Sequence, residues 1–490
     1  MNTKLLRQKI LDLAIRGKLT DQRKSDGTAR ELLEQISSKV SSSSSTLSSP
    51  RRRGSPSSSA AKTIIPLDKS EAPFEIPENW EWVRLNDIFN FIDYRGMTPE
   101  KVDKGVPLIT AKNVKKGYID FSIDEYISEE SYAARQGRGS PQKGDILFTT
   151  EAPLGNVALA GIDKYSPGQR IITFQQYTKE KLLDNRFFVF FFLSDLFQNL
   201  LVDQKTGTTV TGIKAAKLKM IPVLLPPLAE QQRIVEKIQE AFAEIDSIEN
   251  NKELLKTHIK QARQKILDLA IHGKLVPQNK ADEPASVLLE RITRDNPHYE
   301  KLTDIPFEIP ESWEWVKLGD VCKPIKRGKS PKYIEQSNIL VFAQKCNQKD
   351  GPVSLEKALY LDESTLNKYP KEEFLQKGDV IINSTGTGTL GRVGLFNVDL
   401  PQGIKGIVPD SHVTTIRSSV VNSNYLYSYL KNKQSYLEKN GEGSTNQKEL
   451  KPHTIYDLEF PLPPLAEQKR IVNKIEEIFA SLDEISLHLV

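Results

Sequence analysis

The residues that could do chemistry are few, and their spacing argues against catalysis. Gly386-Thr-Gly388-Thr-Leu-Gly391 satisfies the G-x-G-x-x-G pattern, in which glycines let the backbone approach a pyrophosphate at the start of a helix. It follows a plausible strand, DVIINST, but Arg392-Val-Gly-Leu-Phe396 comes next and is no helix-forming run. A glycine-rich hairpin or loop is the better expectation. Gly207-Thr-Thr-Val-Thr-Gly212 has P-loop spacing, yet Ile213 stands where the phosphate-binding lysine belongs. The six histidines are scattered, and Cys322 and Cys346 do not join them at metal-ligand spacing. There is no G-x-S-x-G, no H-E-x-x-H, and no Asn/Asp-Pro-Pro-aromatic tetrapeptide of the kind used by amino-methyltransferases. The expectation is a chain with no catalytic group and no metal site.

What remains is polar, basic and loop-like. Lys323-Pro-Ile-Lys326-Arg327-Gly-Lys329-Ser-Pro-Lys332 carries five positive charges in ten residues around a glycine. Such a loop suits contact with phosphates and bidentate reading of guanine by arginine. The candidate nucleic-acid contacts are Arg95, Lys112, Asn113, Arg135, Arg138 and Lys214 in the first half of the chain. In the second half they are Lys326, Arg327, Lys329, Gln344, Lys345, Arg392, Asn446 and Lys448. A solvated surface position is the plain alternative for each. The net charge of +4 permits nucleic-acid binding without arguing for it.

These candidates sit in two bodies of similar length, 89–225 and 322–462. Short islands match between the bodies: Tyr94-Arg-Gly-Met-Thr-Pro99 with Lys326-Arg-Gly-Lys-Ser-Pro331, and Gln142-Lys-Gly-Asp-Ile-Leu147 with Gln376-Lys-Gly-Asp-Val-Ile381. Gly207-Thr-Thr likewise matches Gly443-Ser-Thr, and between the islands little is shared. One scaffold used twice with different surfaces is expected, each face suited to its own target. Each body is preceded by a repeated lead-in, PFEIPENWEWVRLNDI at 73–88 and PFEIPESWEWVKLGDV at 306–321. One Trp of each pair, Trp80/Trp82 and Trp313/Trp315, is expected to point inward as structural packing.

The element that must hold the bodies is PPLAEQQRIVEKIQEAFAEIDSIENNKELLKTHIKQARQKILDLAIHGKL, 226–275, which has no proline or glycine between Pro227 and Gly273. Ile234, Ala241, Ile248, Leu255, Ala262 and Leu269 occupy one heptad position and Ile238, Ile245, Ile259 and Ile266 the other; only Lys252 breaks the pattern. A seam with a 3.5-residue period predicts a coiled coil, and some 45 helical residues would span roughly 65 Å. Its first half recurs as PPLAEQKRIVNKIEEIFASLD, 463–483, and its second half, RQKILDLAIHGKLVPQ, recurs as RQKILDLAIRGKLTDQ, 7–22. The register carries over to Ile471, Ile475, Ile478, Leu482, Ile485 and Leu489 in the tail and to Leu6, Ile10 and Leu13 in the head. The chain thus reads as a circle opened at one point, with the split copy lying antiparallel against the unbroken one.

Composition sets outer limits. With 490 residues, about three domains are expected. Charged residues at 27% and a mean hydropathy of −0.44 indicate a soluble chain. The start reads as a helix rather than a secretory leader, and the apolar run Phe187–Phe197 is far short of the ~20 residues of a membrane span, so one buried helix is expected there. Two cysteines fit a reducing cytoplasm. After a short helical piece at 29–36, the segment 41–62, with its many serines and Arg51 to Arg53, is expected to be a disordered tether.

The doubled PPLAEQ-x-RIV and doubled RQKILDLAI-x-GKL, in the order helix, variable body, long helix, variable body, helix, closely resemble the specificity (S) subunit of type I restriction-modification systems. The resemblance covers nearly the whole chain. It implies an α+β fold with two similar mixed α/β target recognition domains separated by a long antiparallel two-helix coiled coil, circularly pseudo-symmetric. The segments would be an N-terminal helix (1–22), a linker with the serine-rich tether (23–72), recognition domain 1 (73–225), the central spacer helix (226–275), a linker (276–305), recognition domain 2 (306–462) and a C-terminal spacer helix (463–490). The serine-rich tether is outside the family's core pattern.

By the same resemblance, each recognition domain reads one half of an asymmetric bipartite site on double-stranded DNA. The helical spacer sets the gap and docks two methyltransferase (modification) subunits, which restriction subunits then join. The chain would be cytoplasmic and would hold no cofactor; S-adenosylmethionine, ATP and magnesium would belong to the partners. Two other classes compete. An enzyme would need a cofactor motif that is not found, and a non-catalytic protein-binding scaffold, two heads on a coiled-coil strut, would show no salt-dependent DNA affinity.

Overall fold

The computed structural model describes residues 2–45, 64–68, 70–204, 212–294, 299–349, 352–443 and 448–489. The chain divides into two compact units, Met1–Asn251 and Lys252–Val490. The boundary falls inside a single uninterrupted helix of 44 residues, Leu228–Ile271. It starts just after the Pro226-Pro227 pair and stops just before Gly273, as the distribution of helix breakers dictates.

In the first unit, strands β1 (Glu81–Arg84) and β10 (Pro222–Leu225) pair antiparallel and bring the two ends of the recognition domain together. A four-stranded antiparallel sheet follows in the order β2 (Phe89–Asp93), β9 (Ile171–Gln176), β6 (Ile146–Thr149), β7 (Val157–Leu159). A second sheet has the order β3 (Lys101–Val102), β5 (Tyr126–Ile127), β4 (Val106–Ile109), β8 (Ser166–Pro167), its last pair parallel. The central strand β6 is buried throughout because the pleat serves two cores. Ile146 and Phe148 join the large cluster under the helices, while Leu147 joins a smaller one with Ile109 and Ile171.

The second unit repeats this plan. Strands β11 (Glu314–Lys317) and β20 (Glu459–Leu462) pair antiparallel. One sheet runs β12 (Ile325–Arg327), β19 (Val413–Ile416), β16 (Asp379–Asn383), β17 (Val393–Phe396). The other runs β13 (Tyr333–Ile334), β15 (Leu359–Leu361), β14 (Ile339–Phe342), β18 (Gly406–Pro409), again with a parallel last pair. Val380 and Ile382 face one core and Ile381 the other, as in β6.

Within each unit the repeated helix sequences meet their recognition domain through the same contacts. Buried Glu230 accepts from Trp80 Nε1 at 2.8 Å and Gln22 Nε2 at 2.5 Å; buried Glu467 accepts from Trp313 at 2.9 Å and Gln278 at 2.5 Å. Burial holds the Glu467 carboxyl above its usual value, against the Trp313 and Gln278 hydrogen bonds. Arg233 pairs with Asp26, and Arg470 with Asp282. Gly17 (φ +64°) and Gly273 (φ +65°) end their helices in the left-handed conformation that glycine alone adopts cheaply. A Cβ at either would stand 2.4 Å from Pro77 or Pro310. In the first unit Arg7 of the helix Thr3–Ile15 bonds Asp246 and lies over the Phe242 ring; in the second, Arg263 does the same with Asp483 and Phe479.

Several expectations need correction. Among the heptad-seam residues, Ile234, Ile238, Ile245, Ile259, Ile471 and Ile475 are buried, but Leu6, Ile248, Leu255 and Ile485 are exposed. Ile10, Leu13, Ile266, Leu269, Ile478, Leu482 and Leu489 are only half-buried. On the QKILDLAI repeat the buried residues are instead Leu11, Ala14 and Ile15, and Leu267, Ala270 and Ile271. That stretch turns its most apolar face to the body of its own unit, which a heptad count cannot reveal.

Both tryptophans of each lead-in are buried, not one. Each pair stands two residues apart, a spacing that puts both rings on one face, and Trp80 and Trp313 each donate to the buried glutamate of their unit. The Phe187–Phe197 run forms two helices, Asn185–Leu193 and Asp195–Gln204, bent by 68°, rather than one. Ser194 breaks it, its hydroxyl donating to the Phe191 carbonyl. No single described helix is long and apolar enough to cross a membrane. The helix Ala29–Ser45 continues past residue 41, where the tether was expected to begin; the rest of that segment, 46–62, lies outside the described residues. The linker 276–305 contains a helix, Ala285–Thr293, that matches the start of Ala29–Ser45, Leu288 and Leu289 standing for Leu32 and Leu33.

Candidate nucleic-acid interface

In each unit four loops are tied together at the same strand ends. Thr150 N donates to the Arg170 carbonyl and Ile213 N to the Thr150 carbonyl, at 2.9 and 3.0 Å. The second unit repeats both bonds, Ser384 N to His412 and Leu450 N to Ser384, each at 2.8 Å. Isolated bridges Glu151–Gly212 and Thr385–Glu449 extend the correspondence. The loop after β6 or β16, the loop before β9 or β19, and the segment ending at Ile213 or Leu450 therefore converge on one place. The loop after β2 brings Arg95 to it, and the end of β12 brings Arg327.

The two arginines are held differently. Arg95 forms a fork with the neighbouring Asp93, Nη2 to Oδ2 at 2.5 Å. Burial raises the Asp93 carboxyl, but the Arg95 hydrogen bonds more than offset it, and the group sits below its usual value. Arg138 braces the turn by donating to the Asp93 and Arg95 carbonyls. Arg327 bonds the Ser411 carbonyl and the Glu449 carboxylate, and burial lowers its pKa with Asp410 opposing. Gly328 permits this approach, because a Cβ there would stand 2.3 Å from the Pro409 and Asp410 carbonyl oxygens. Lys326 and Lys329 both pair with Glu373.

Four candidates bond the framework of the unit, two of them buried. Asn113 is buried, its Oδ1 accepting from Thr110 and its Nδ2 donating to the Asp120 and Ile123 carbonyls, so all of its bonding capacity is used. Arg135 is 2% exposed, donates to the Met97 and Pro167 carbonyls and lies over the Tyr94 ring; burial lowers its pKa. Arg392 donates to the Asn347 and Gly388 carbonyls, holding the glycine-rich loop between β16 and β17. Gln344 accepts from Thr389 of that loop. In each case a polar side chain expected to face a nucleic acid bonds the protein's own loops. Lys112, Lys214, Lys345 and Lys448 are exposed and have no ion pair among the described residues. Asn446 lies outside the described residues, as do Gly207 and its neighbours. No cluster of His, Cys, Asp or Glu among the described residues could hold a metal.

Sequence reading missed Glu151, Arg170, Thr385 and His412, all at the convergence of the loops. Arg170 follows Gly168 between two strands and His412 follows Asp410-Ser411, so the turn chemistry was visible, but only the fold aligns these loops.

The family profile for the type I restriction modification DNA specificity domain matches residues 77–257 and again 310–487. The chain belongs to this family and is a type I restriction-modification specificity subunit, a component of a multi-subunit complex. It is similar to the type I restriction enzyme EcoEI specificity subunit of Escherichia coli, 24% identical over 99% of this chain and 90% of that one. The MjaVIII specificity subunit of Methanocaldococcus jannaschii is 23% identical over 82% of this chain and 87% of its own. Among solved structures, the HsdS subunit from Thermoanaerobacter tengcongensis has a TM-score of 0.52 at 19% identity, covering 86% of this chain and 94% of that one. A chain solved in work on complex assembly of the type I system has a TM-score of 0.53 at 21% identity, covering 85% and 94%. These likenesses support the mixed α/β fold with two repeated recognition domains.

Proposed function

We propose that each unit's recognition domain reads one half of an asymmetric bipartite DNA site from the place where its four loops converge. Residues 226–275 pair with 1–22 and 463–490 as an antiparallel, circularly pseudo-symmetric coiled coil that sets the gap between half-sites and docks two methyltransferase subunits. Restriction subunits join that assembly. Adenine methylation and cleavage chemistry, with S-adenosylmethionine, ATP and magnesium, reside on those partners, in the cytoplasm.

The observation that carries this reading is the pair of matching loop frames. Their backbone bonds are the same in both units, while the exposed side chains on them differ. A frame repeated with changed faces suits two unlike half-sites, since sequence is read by side chains on base edges. The recurring Arg7–Asp246 and Arg263–Asp483 contacts support the coiled-coil element.

The test is genome-wide adenine methylation in cells with and without this chain, alongside its modification subunit. A bipartite motif that vanishes on deletion is expected. No motif in either strain, with no salt-dependent DNA affinity in the purified complex, would favour the protein-binding scaffold. That second reading draws on the pairing of Lys326, Lys329 and Arg327 with carboxylates.

A further inference from the structure

We infer that Glu151–Arg170 in the first unit and Thr385–His412 in the second are the specificity-determining pairs of the two recognition domains. The inference rests on the DNA-reading function proposed above and assigns the discrimination to particular side chains.

The two pairs occupy one structural position. Glu151 and Thr385 each follow the residue whose amide bonds the loop before the last strand of the sheet, and each forms the isolated bridge to the segment behind it. Arg170 and His412 each supply the carbonyl that receives that amide. With both backbones fixed, the side chains meet across the same gap. Arg170 Nε lies 3.1 Å from Glu151 Oε1, and Thr385 Oγ1 lies 2.6 Å from His412 Nδ1.

Both pairs remain available to a ligand. The side chains of Arg170 and Glu151 are 51% and 41% exposed, and His412 is exposed. This separates them from buried Asn113 and Arg135, and from half-buried Arg392, each of which donates to two backbone carbonyls. An arginine stands close by in each unit, though not at one position: Arg95 lies two residues past the end of β2, within the field of Glu151, and Arg327 ends β12 and bonds the carbonyl of Ser411, next to His412. A backbone bond common to both units cannot tell two half-sites apart. A fixed position whose chemistry changes can.

The chemistry of each pair limits what it reads. Arg170 donates two parallel hydrogen bonds to guanine O6 and N7, while Glu151 orients it and accepts from an amino group on the neighbouring cytosine or adenine. Thr385 and His412 present single bonds, the hydroxyl fixing the imidazole through Nδ1 and leaving Nε2 to face a base. The first pair therefore favours a G·C-containing step more strongly than the second.

The experiment uses the full chain in complex with its modification subunit. Binding to the wild-type site is compared with binding to a panel of single base-pair changes. Arg170→Ala and Glu151→Gln should lower discrimination at one or two adjacent positions of one half-site, roughly 5- to 100-fold for the arginine. The other half-site should be unchanged. Thr385→Ala and His412→Ala should act on the other half-site only.

Equal weakening for every sequence would mean phosphate contact, and unchanged discrimination would mean no contact; either overturns the inference. Arg170→Lys and His412→Gln, which keep polarity, guard against misfolding, and thermal melting checks that each variant folds. A wild-type complex with no sequence preference would instead sink the DNA-reading function itself.

Discussion

The two recognition domains share topology, the register of their central strands and their junctions, yet they solve the same internal problems with different residues. The motif Gln-Lys-Gly-Asp turns into the central strand of each sheet, and its aspartate accepts the backbone amide three residues back at 2.8 Å, from Gln142 to Asp145 and from Gln376 to Asp379. Both carboxylates are buried. Asp379 is met by the fork of Arg417, at 2.6 and 2.7 Å. At the equivalent place Asp145 meets only the amide of Gln175, at 2.8 Å, and burial pushes its pKa up to about 6. The cores differ in the same manner. Phe187, Phe188, Phe191 and Phe192 pack the first, while Tyr425 and Tyr429 pack the second and send their hydroxyls to the Pro461 and Glu459 carbonyls. A fold tolerates such exchange when volume and polar pairing are both preserved at the position.

The largest expected effect comes from the aromatic core of the first unit. The Phe192 ring centroid lies 4.6 Å from Phe197 and 5.6 Å from Phe174, and the side chain is fully buried. Phe192→Ala should cost about 3–5 kcal/mol through lost contacts and a cavity. Calorimetry should show one part of the thermal transition moving down while the part due to the second unit stays in place. A common shift of both would mean that the units do not unfold independently.

Next in size are Arg95, just past β2, and Arg327, at the end of β12. Arg327→Ala should reduce recognition of one half-site by about 1–3 kcal/mol, and Arg95→Ala that of the other. Binding to half-site variants measures both. Loss at both half-sites from a single substitution would break the comparison between independent domains.

Buried Asp145 gives a pH test whose sign is fixed. A folded pKa of about 6 for Asp145 means that the folded chain holds this proton more tightly than the unfolded one, where a pKa near 3.9 is usual. Stability from this group is present below about pH 4 and lost as pH rises through about 6, on the order of 3 kcal/mol in full and about 2 kcal/mol between pH 4.5 and 7.5. Gln175→Arg would give the first unit the arrangement of the second and should remove that loss. Thermal midpoints at pH 4.5 and 7.5 for the wild type and this variant decide the matter; identical pH dependence in the two would refute the assignment.

Much of this frame was legible in the sequence because it is written twice. The repeats at 226–246 and 463–483, and at 7–22 and 263–278, located the helices, and the Gln-Lys-Gly-Asp islands located the central strands. The seam was only partly legible. A heptad count registers which residues are apolar but not which neighbour they meet, so it favoured Ile266 and Leu269 over the buried Leu267, Ala270 and Ile271. The interface was the least legible. Asn113, Arg135 and Arg392 have the composition of contacts and serve as braces, whereas Glu151 and Arg170 are ordinary in sequence and become a pair only when two loops are brought together by the sheet.

The smallest effect probes whether the exchange of phenylalanine for tyrosine is neutral in each setting. Tyr429 is fully buried, and its hydroxyl donates to the Glu459 carbonyl at 2.8 Å, at the edge of the β11–β20 pair. Tyr429→Phe keeps the ring contact with Phe460, centroids 4.8 Å apart, and removes only that bond, so a loss of about 0.5–1.5 kcal/mol is expected. Phe191 stands at the matching place in the first unit, where the Phe192 and Phe197 rings lie 5.8 and 5.6 Å away. Phe191→Tyr must place a hydroxyl among those rings unless it reaches the Pro222 carbonyl of β10, the counterpart of Glu459. Chemical denaturation of both variants separates the cases. A gain or no change for Phe191→Tyr means that the carbonyl receives the hydroxyl and that the units are interchangeable even in this detail. A loss of about 1–3 kcal/mol means that the phenylalanine core has closed over the position, and that the two domains have diverged in packing as well as in the side chains they present.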